Sequence, residues 1–248
     1  MSNLKNLCKY IYAVIVILIF WYLLYFLLDS FVIPNPFDVI KRLFATELPT
    51  LSKHILASLY RLVIALSITT IFGYFIGLAI GINKRIDNLL SPILYLLFPI
   101  PRIAFLPIFM IFFGLGNTSK IVLIVAIAIF QIIISTRDGV KEIPKDLLLS
   151  AKSLKLSKYN MLRHIFIPAT LPRLFSSLRI ALGTSMAALF FAENYATKFG
   201  IGYFIMDSWI KVDYEGMYSG IIAISLFGIT LFKLIDALQK RICKWEFR

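Results

Sequence analysis

No charged residue interrupts the chain from Tyr10 to Leu28. A run of about nineteen such residues is long enough, as a helix, to cross a hydrocarbon layer roughly 30 Å thick. Runs of this kind recur along the 248 residues, separated by short polar segments. Backbone in hydrocarbon must satisfy its own N–H and C=O groups, and continuous apolar runs do so as helices. Composition agrees: 60% of residues are hydrophobic, against about 45–50% in soluble domains. The expected fold class is an all-α integral membrane protein with six transmembrane helices.

The spans are expected at Ile11–Leu28, Ile55–Ile82, Leu90–Phe113, Lys120–Ser135, Leu174–Glu193 and Tyr218–Ile235. The first is read as a retained span rather than a signal peptide, because its apolar run is long and no small-x-small cleavage site follows. This divides the chain into a tail and first helix (1–28), an external segment (29–54), a five-span core (55–236) and a basic tail (237–248). In the external segment Pro34-Asn35-Pro36 breaks the chain. Val39, Ile40, Leu43 and Phe44 then oppose Asp38, Lys41, Arg42 and Glu47, the pattern of a short interfacial helix ended by Pro49. Near the other end, Trp209 suits an interface anchor.

The formal net charge of +13 invites a nucleic-acid reading, but the positives form no continuous basic domain. Most of the 26 Lys and Arg lie before span one, at Lys84-Arg85, between Arg137 and Arg173, and after Lys233. By the positive-inside rule these segments, both termini included, face the cytoplasm, in a multi-pass protein of the cell membrane. Cys8 and Cys243 then share a reducing compartment, so no disulfide is expected, and two thiols alone make no metal site.

Inside the spans, Gly73, Gly77 and Gly81 repeat every four residues, a surface for close helix packing. Arg61 is expected to snorkel toward the nearer surface. The third span carries Pro92, Pro99, Pro101 and Pro107, which remove backbone donors and disfavour a straight helix. Irregular backbone at membrane depth belongs inside protein or beside water. Arg102 lies in this span, either as a structural arginine or as a positive charge beside the path of an anion. Glu193, at the end of span five, either braces a helix end or contributes to a gate. Gly200-Ile201-Gly202 lacks the frame and the lysine of a phosphate loop, so its glycines shape a loop.

The stretch from Thr136 to Pro172 differs from the rest: too polar for hydrocarbon, too patterned for a slack linker. Leu147, Leu148, Ala151, Leu154 and Leu162 recur at helical spacing among lysines, with Pro144 near the start and Pro168 marking a stop or turn. Such a helix either lies on anionic lipid or docks a soluble partner.

This stretch resembles the coupling loop of permease subunits of ABC importers, in the nitrate/sulfonate/taurine branch. Ser150-Ala151 stand for the paired alanines of the family signature, and Ile165-Phe166-Ile167-Pro168 for its Ile-x-Leu-Pro. Leu149 replaces the signature Glu, and Lys155 replaces a Gly that permits a bend between two short helices. The resemblance extends from about Asp29 to Asp236 and includes Pro99-Ile100-Pro101, Phe113-Gly114-Leu115-Gly116 and Gly200-Ile201-Gly202-Tyr203. It implies a type I importer fold with a cytoplasmic coupling helix. Ser150, Ala151, Lys152, Leu154, Lys155, Leu162, Ile165 and Pro168 would couple to an ATPase dimer, with Leu154 and Leu162 as apolar contacts. Arg102 and Glu193 would belong to the translocation path or gate. The implied partners are that ATPase, a second permease copy, an extracytoplasmic solute-binding protein and the bilayer, without nucleic acid. No cofactor is implied for this chain; ATP would be used by the partner.

The residues point to no catalysis. His54 and His164 have no acid or cysteine cluster nearby in sequence, no Walker motif is present, and no metal ligand set emerges. The implied function is a permease subunit importing a small solute, with nitrate, taurine or another sulfonate as candidates. A self-contained channel, or an importer of a non-anionic nutrient, would use similar spans.

Overall fold

The computed structural model of the chain describes residues 2–28 and 30–247, with side chains from Ile11 to Glu246 apart from Asp29. The side chain of Cys8 lies outside the described residues. Eleven α-helices account for most of the chain: α1 (Ser2–Leu28), α2 (Pro36–Arg42), α3 (Leu48–Ile82), α4 (Lys84–Leu97), α5 (Leu106–Phe113), α6 (Asn117–Lys141), α7 (Lys145–Ser153), α8 (Lys158–Met161), α9 (Ile167–Glu193), α10 (Ile201–Ile210) and α11 (Tyr214–Ile242).

Among the described residues, five helical segments are long and apolar enough to cross a membrane: Ile11–Leu28, Pro36–Ile82, Asn117–Lys141, Lys158–Glu193 and Tyr214–Ile242. The expected third span is instead two helical pieces, Lys84–Leu97 and Arg102–Phe113, bent by 82°. The six expected spans are therefore five long helices, and six only if the bent pair is one broken span. The break falls at Pro99-Ile100-Pro101, where two imino nitrogens in three residues cannot donate to a helical ladder.

Two prolines expected to end helices do not. Pro49 is expected to end an interfacial helix, yet the chain is helical from Pro36 to Ile82. Pro168 is expected at a stop or turn, yet helix runs from Lys158 to Glu193. In both cases a π-helical turn comes first, Leu43–Glu47 and Leu162–Phe166, and the proline occupies the first turn of the α-helix that follows. Widening the ladder leaves room for a ring that would otherwise strike the carbonyl four residues back. α3 thus runs through the division expected at 54/55, and α11 through that at 236/237.

α6 lies between α3 and α9 at the centre of the molecule. Leu62 and Ala65 of α3, Ile124 of α6 and Phe175, Leu182 and Leu189 of α9 form the main buried cluster. The Gly73, Gly77, Gly81 ridge packs on α6: a Cβ added at Gly77 would stand 2.6 Å from the Ile133 carbonyl oxygen, and one at Gly81 2.7 Å from Val140 Cβ. Only hydrogen fits there. No residue of Ile11–Leu28 is buried within the chain. α1 meets the rest through contacts such as Trp21 stacked on Tyr218 at 5.2 Å. Cys243 is free and fully buried at the end of α11.

Candidate functional site: the basic loop, the broken span and two ion-pair networks

The basic loop folds into α7, a bend and α8. Pro144 precedes α7, Asp146 lies in its first turn and Lys152 in its last, in keeping with the helix dipole. The bend is made by Lys155, whose φ is +51°. Its N–H donates to the Lys152 carbonyl (2.9 Å), and the Leu156 N–H reaches back to the Ala151 carbonyl (3.2 Å). This is a Schellman turn, with a lysine where glycine is favoured. The bend associated with the signature glycine therefore persists, with a left-handed lysine in its place. The Ser157 hydroxyl accepts the Asn160 N–H at 3.2 Å and opens α8.

The signature residues face two ways. Ala151 and Ile165 are buried together with Ile143, and Leu148, Leu156 and Phe166 pack around them. Leu162 packs on the cluster of Tyr74, Leu78 and Val140, so it is turned into the chain and not outward with Leu154 as expected. Pro168 is half-buried. Ser150, Lys152, Leu154 and Lys155 are exposed, Leu154 at 75%. With Leu147, Leu149 and Tyr159 it leaves bulky side chains uncovered on an otherwise basic surface.

Arg102 opens the short 3₁₀ turn between α4 and α5. Its Nη2 donates to the carbonyls of Leu97 (2.9 Å) and Phe98 (3.0 Å), two of the groups that a helix end leaves without intrahelical partners. The guanidinium also lies 4.3 Å from the centroid of the Phe130 ring on α6. It thus caps the end of α4 against a neighbouring helix, and these bonds leave its Nε and Nη1 donors unused.

Glu193 is 1% exposed. Its carboxylate accepts from Ser58 Oγ (2.7 Å), from Arg61 Nη1 (2.5 Å) and from the Gly202 N–H (2.9 Å). Arg61, expected to snorkel, is instead buried, because Glu193 partners it and Asn117 accepts from its Nε at 2.8 Å. One cluster therefore joins α3, α6, α9 and α10. Lys120, also 1% exposed, stands at its edge and donates to the carbonyls of Leu115 (3.2 Å) and Gly116 (3.3 Å). Gly200 and Gly202 make room for the carboxylate: a Cβ at Gly200 would come within 2.4 Å of the Glu193 carboxyl carbon. His54 is buried, with Nδ1 facing the Gly200 N–H and carbonyl, so it has a local packing role.

A second network lies at the opposite end of α6. Asp87 accepts from Arg137 Nε (2.5 Å), Lys141 Nζ (2.6 Å) and Ser91 Oγ (2.6 Å). Arg137 also donates to Tyr95 and Asp138, each at 2.9 Å. The external segment and the residues just after α10 meet as well. Arg42 forms a two-pronged pair with Asp213, both bonds 2.6 Å, and a bond to Glu47 of 3.0 Å. Burial by itself would raise the Asp213 carboxyl, but the Arg42 fork and the Gly216 N–H hold it below the usual carboxylate range.

Sequence reasoning found Glu193 without its partners and did not single out Asp87, Arg137 or Lys120. A usable signal was present: opposite charges inside apolar runs, such as Arg61 and Glu193, demand each other. Among the described residues, no group of three or more His, Cys, Asp or Glu is placed to hold a metal ion.

A multi-pass helical bundle with a broken span and an exposed amphipathic loop, carrying no nucleotide motif of its own, has the outline of an importer permease subunit. Residues 70–244 match the family described as binding-protein-dependent transport system inner membrane component, and the chain belongs to that family. It is 31% identical to the taurine transport system permease protein of Escherichia coli (strain K12), over 89% of this chain and 82% of that protein. It is 32% identical to the nitrate import permease protein of Synechococcus elongatus, over 94% and 88%. An inward-facing structure of the MetNI methionine ABC transporter aligns with a TM-score of 0.61 at 18% identity, covering 79% of this chain and 97% of that one. That likeness shows the fold: an ABC-importer permease.

Proposed function

We propose that the protein is the membrane-spanning half of an ATP-driven importer for a small anion of the nitrate or sulfonate type. The similarity to taurine and nitrate permeases over most of the chain carries this reading. The spare guanidinium donors of Arg102 at the break in the span support it, since they suit the planar or tetrahedral oxygens of such anions. Two copies would enclose the path, most simply with two-fold symmetry. The basic loop, the start of α4 at Lys84-Arg85 and both termini would face the cytoplasm, and a solute-binding protein would deliver from the other side.

In this reading α7, the bend and α8 dock on a separate ATPase. Ser150, Lys152, Leu154 and Lys155 lie on the docking surface, while Ala151, Leu162, Ile165 and Pro168 hold its shape from within. Closure of the ATPase pair draws the loops together and favours one state of the path; hydrolysis releases it. Partner and solute drive transport only through their different affinities for the two states. Glu193 holds the gate region by its cluster and does not touch solute.

The test is Leu154→Asp. At 75% exposure this change removes no packing inside the chain, but it places a charge in an apolar docking surface. The permease should reach the membrane folded, while the co-expressed ATPase no longer co-purifies and ATP-dependent uptake of nitrate or taurine into proteoliposomes is lost. Assembly and uptake at the parental level would contradict the docking reading.

A further inference from the structure

α4 is unusual in what it buries. Its buried residues are Asp87 and Ser91, a carboxylate and a hydroxyl. Several of its large apolar side chains point outward: Leu89 is 70% exposed and Leu96 75%, while Ile86, Leu90 and Leu94 are half-buried. A helix is ordinarily held by an apolar stripe. α4 is held to α6 by a polar one, because Asp87, Ser91 and Tyr95 are spaced four apart along one face. Facing them are Arg137 and Lys141, themselves four apart in the last turns of α6.

Lys141 ends α6, and α7 of the basic loop begins at Lys145. Asp87 lies in the first turn of α4, which runs to the proline-broken segment and Arg102. At that far end Arg102 returns to α6 over Phe130. α4 is thus strung between two side-chain attachments to α6, without the close backbone approach that joins α6 to α3.

We infer that Asp87 is the positioning residue that transmits displacement of the basic loop to the broken span. This rests on the docking reading of the loop. Each carboxylate oxygen takes a different cation, Oδ1 the Arg137 guanidinium and Oδ2 the Lys141 ammonium. Two bonds to points one helical turn apart fix where the start of α4 stands along α6 and which face it presents. They leave the rest of α4 freer to tilt, because none of its apolar side chains is fully buried. A shift of α7 moves α6 together with the α3 it interlocks with, and the carboxylate makes the start of α4 follow.

The experiment uses the full-length permease with its co-purifying ATPase in nanodiscs, in a background where Cys8 and Cys243 are alanine. An environment-sensitive fluorophore is attached at Lys145→Cys on α7 or at Leu96→Cys on α4, and emission is compared before and after trapping with ATP and vanadate. In the parent both probes should respond. In Asp87→Asn the α7 probe should still respond, and the α4 response should fall by at least half. Asp87→Glu, which keeps a carboxylate for both cations, should retain more of the response than Asp87→Asn, which a purely space-filling role would not explain. If Asp87→Asn lowers folded yield, Lys141→Met, which keeps the Arg137 bond, is read the same way. A responding α7 probe with an undiminished α4 response in the variant overturns the inference alone. An α7 probe in the parent that ignores ATP overturns the docking reading and the inference with it.

Discussion

The two ends of α6 carry the same kind of bond in opposite surroundings. Near its start, Asn117 accepts from Arg61 while Arg61 pairs with Glu193, and both ionic partners are sealed beneath α3, α9 and α10. Near its end, Arg137 and Lys141 hold Asp87 on a helix none of whose apolar side chains is fully buried. In the first place the ion pair completes a packed core and the core defines its geometry. In the second, the ion pairs supply the fully buried contacts, and no apolar side chain of the helix is fully buried. An ionic contact is therefore no measure of rigidity until the packing around it is known.

The sharpest break of this comparison is Glu193→Ala. It strands the Arg61 guanidinium beside Lys120 and leaves Ser58 and the Gly202 N–H without their acceptor. Removing one partner of a buried pair destabilises by about 3–5 kcal/mol. Thermal unfolding of the purified permease in detergent should show a large fall in midpoint, or no folded material. Asp87→Asn should move the same midpoint far less; equal losses from the two variants would erase the distinction between the ends of α6.

Next in size is Arg102→Met, which detaches the far end of α4 and removes a positive charge from the break. Uptake of nitrate or taurine per assembled complex should fall roughly tenfold, equivalent to about 1.4 kcal/mol, with basal ATP hydrolysis retained. Unchanged uptake of both anions would remove Arg102 from the path and leave it as a helix cap.

The smallest effect is a gain. Lys155→Gly keeps the Schellman turn and removes the strain of a side chain at φ +51°, which should stabilise the loop by up to about 1 kcal/mol. Hydrogen exchange across residues 145–166 should slow slightly, and faster exchange there would show that the lysine side chain itself supports the bend.

The apolar runs and the clusters of positives are local properties, so the approximate places of the five long helices were legible, as was the irregularity of the proline-bearing third span, but not its division into two pieces at Pro99-Ile100-Pro101. Pro49 and Pro168 were misread because a proline's local preference is for a helix start or stop, and nothing short-range announces a π turn ahead of it. Leu162 was assigned outward from the same helical period as Leu154, but the bend at Lys155 and the π turn at Leu162–Phe166 reset the phase between them. The ionic networks were hidden for a different reason. Arg61 meets Glu193 across 132 residues, and Asp87 meets Arg137 across 50. Composition can say that such charges need partners, but choosing the partner requires the tertiary arrangement.

The glycine ridge on α3 sets a limit on how this molecule can change shape. Where a Cβ at Gly77 would stand 2.6 Å from the Ile133 carbonyl oxygen, two backbones interlock like meshed teeth. Sliding one past the other would drive side chains into a space that admits only hydrogen, so any shear along this seam must first prise the helices apart. α3 and α6 therefore count mechanically as one beam, and alternation between two states has to be found in what is hinged to that beam rather than within it.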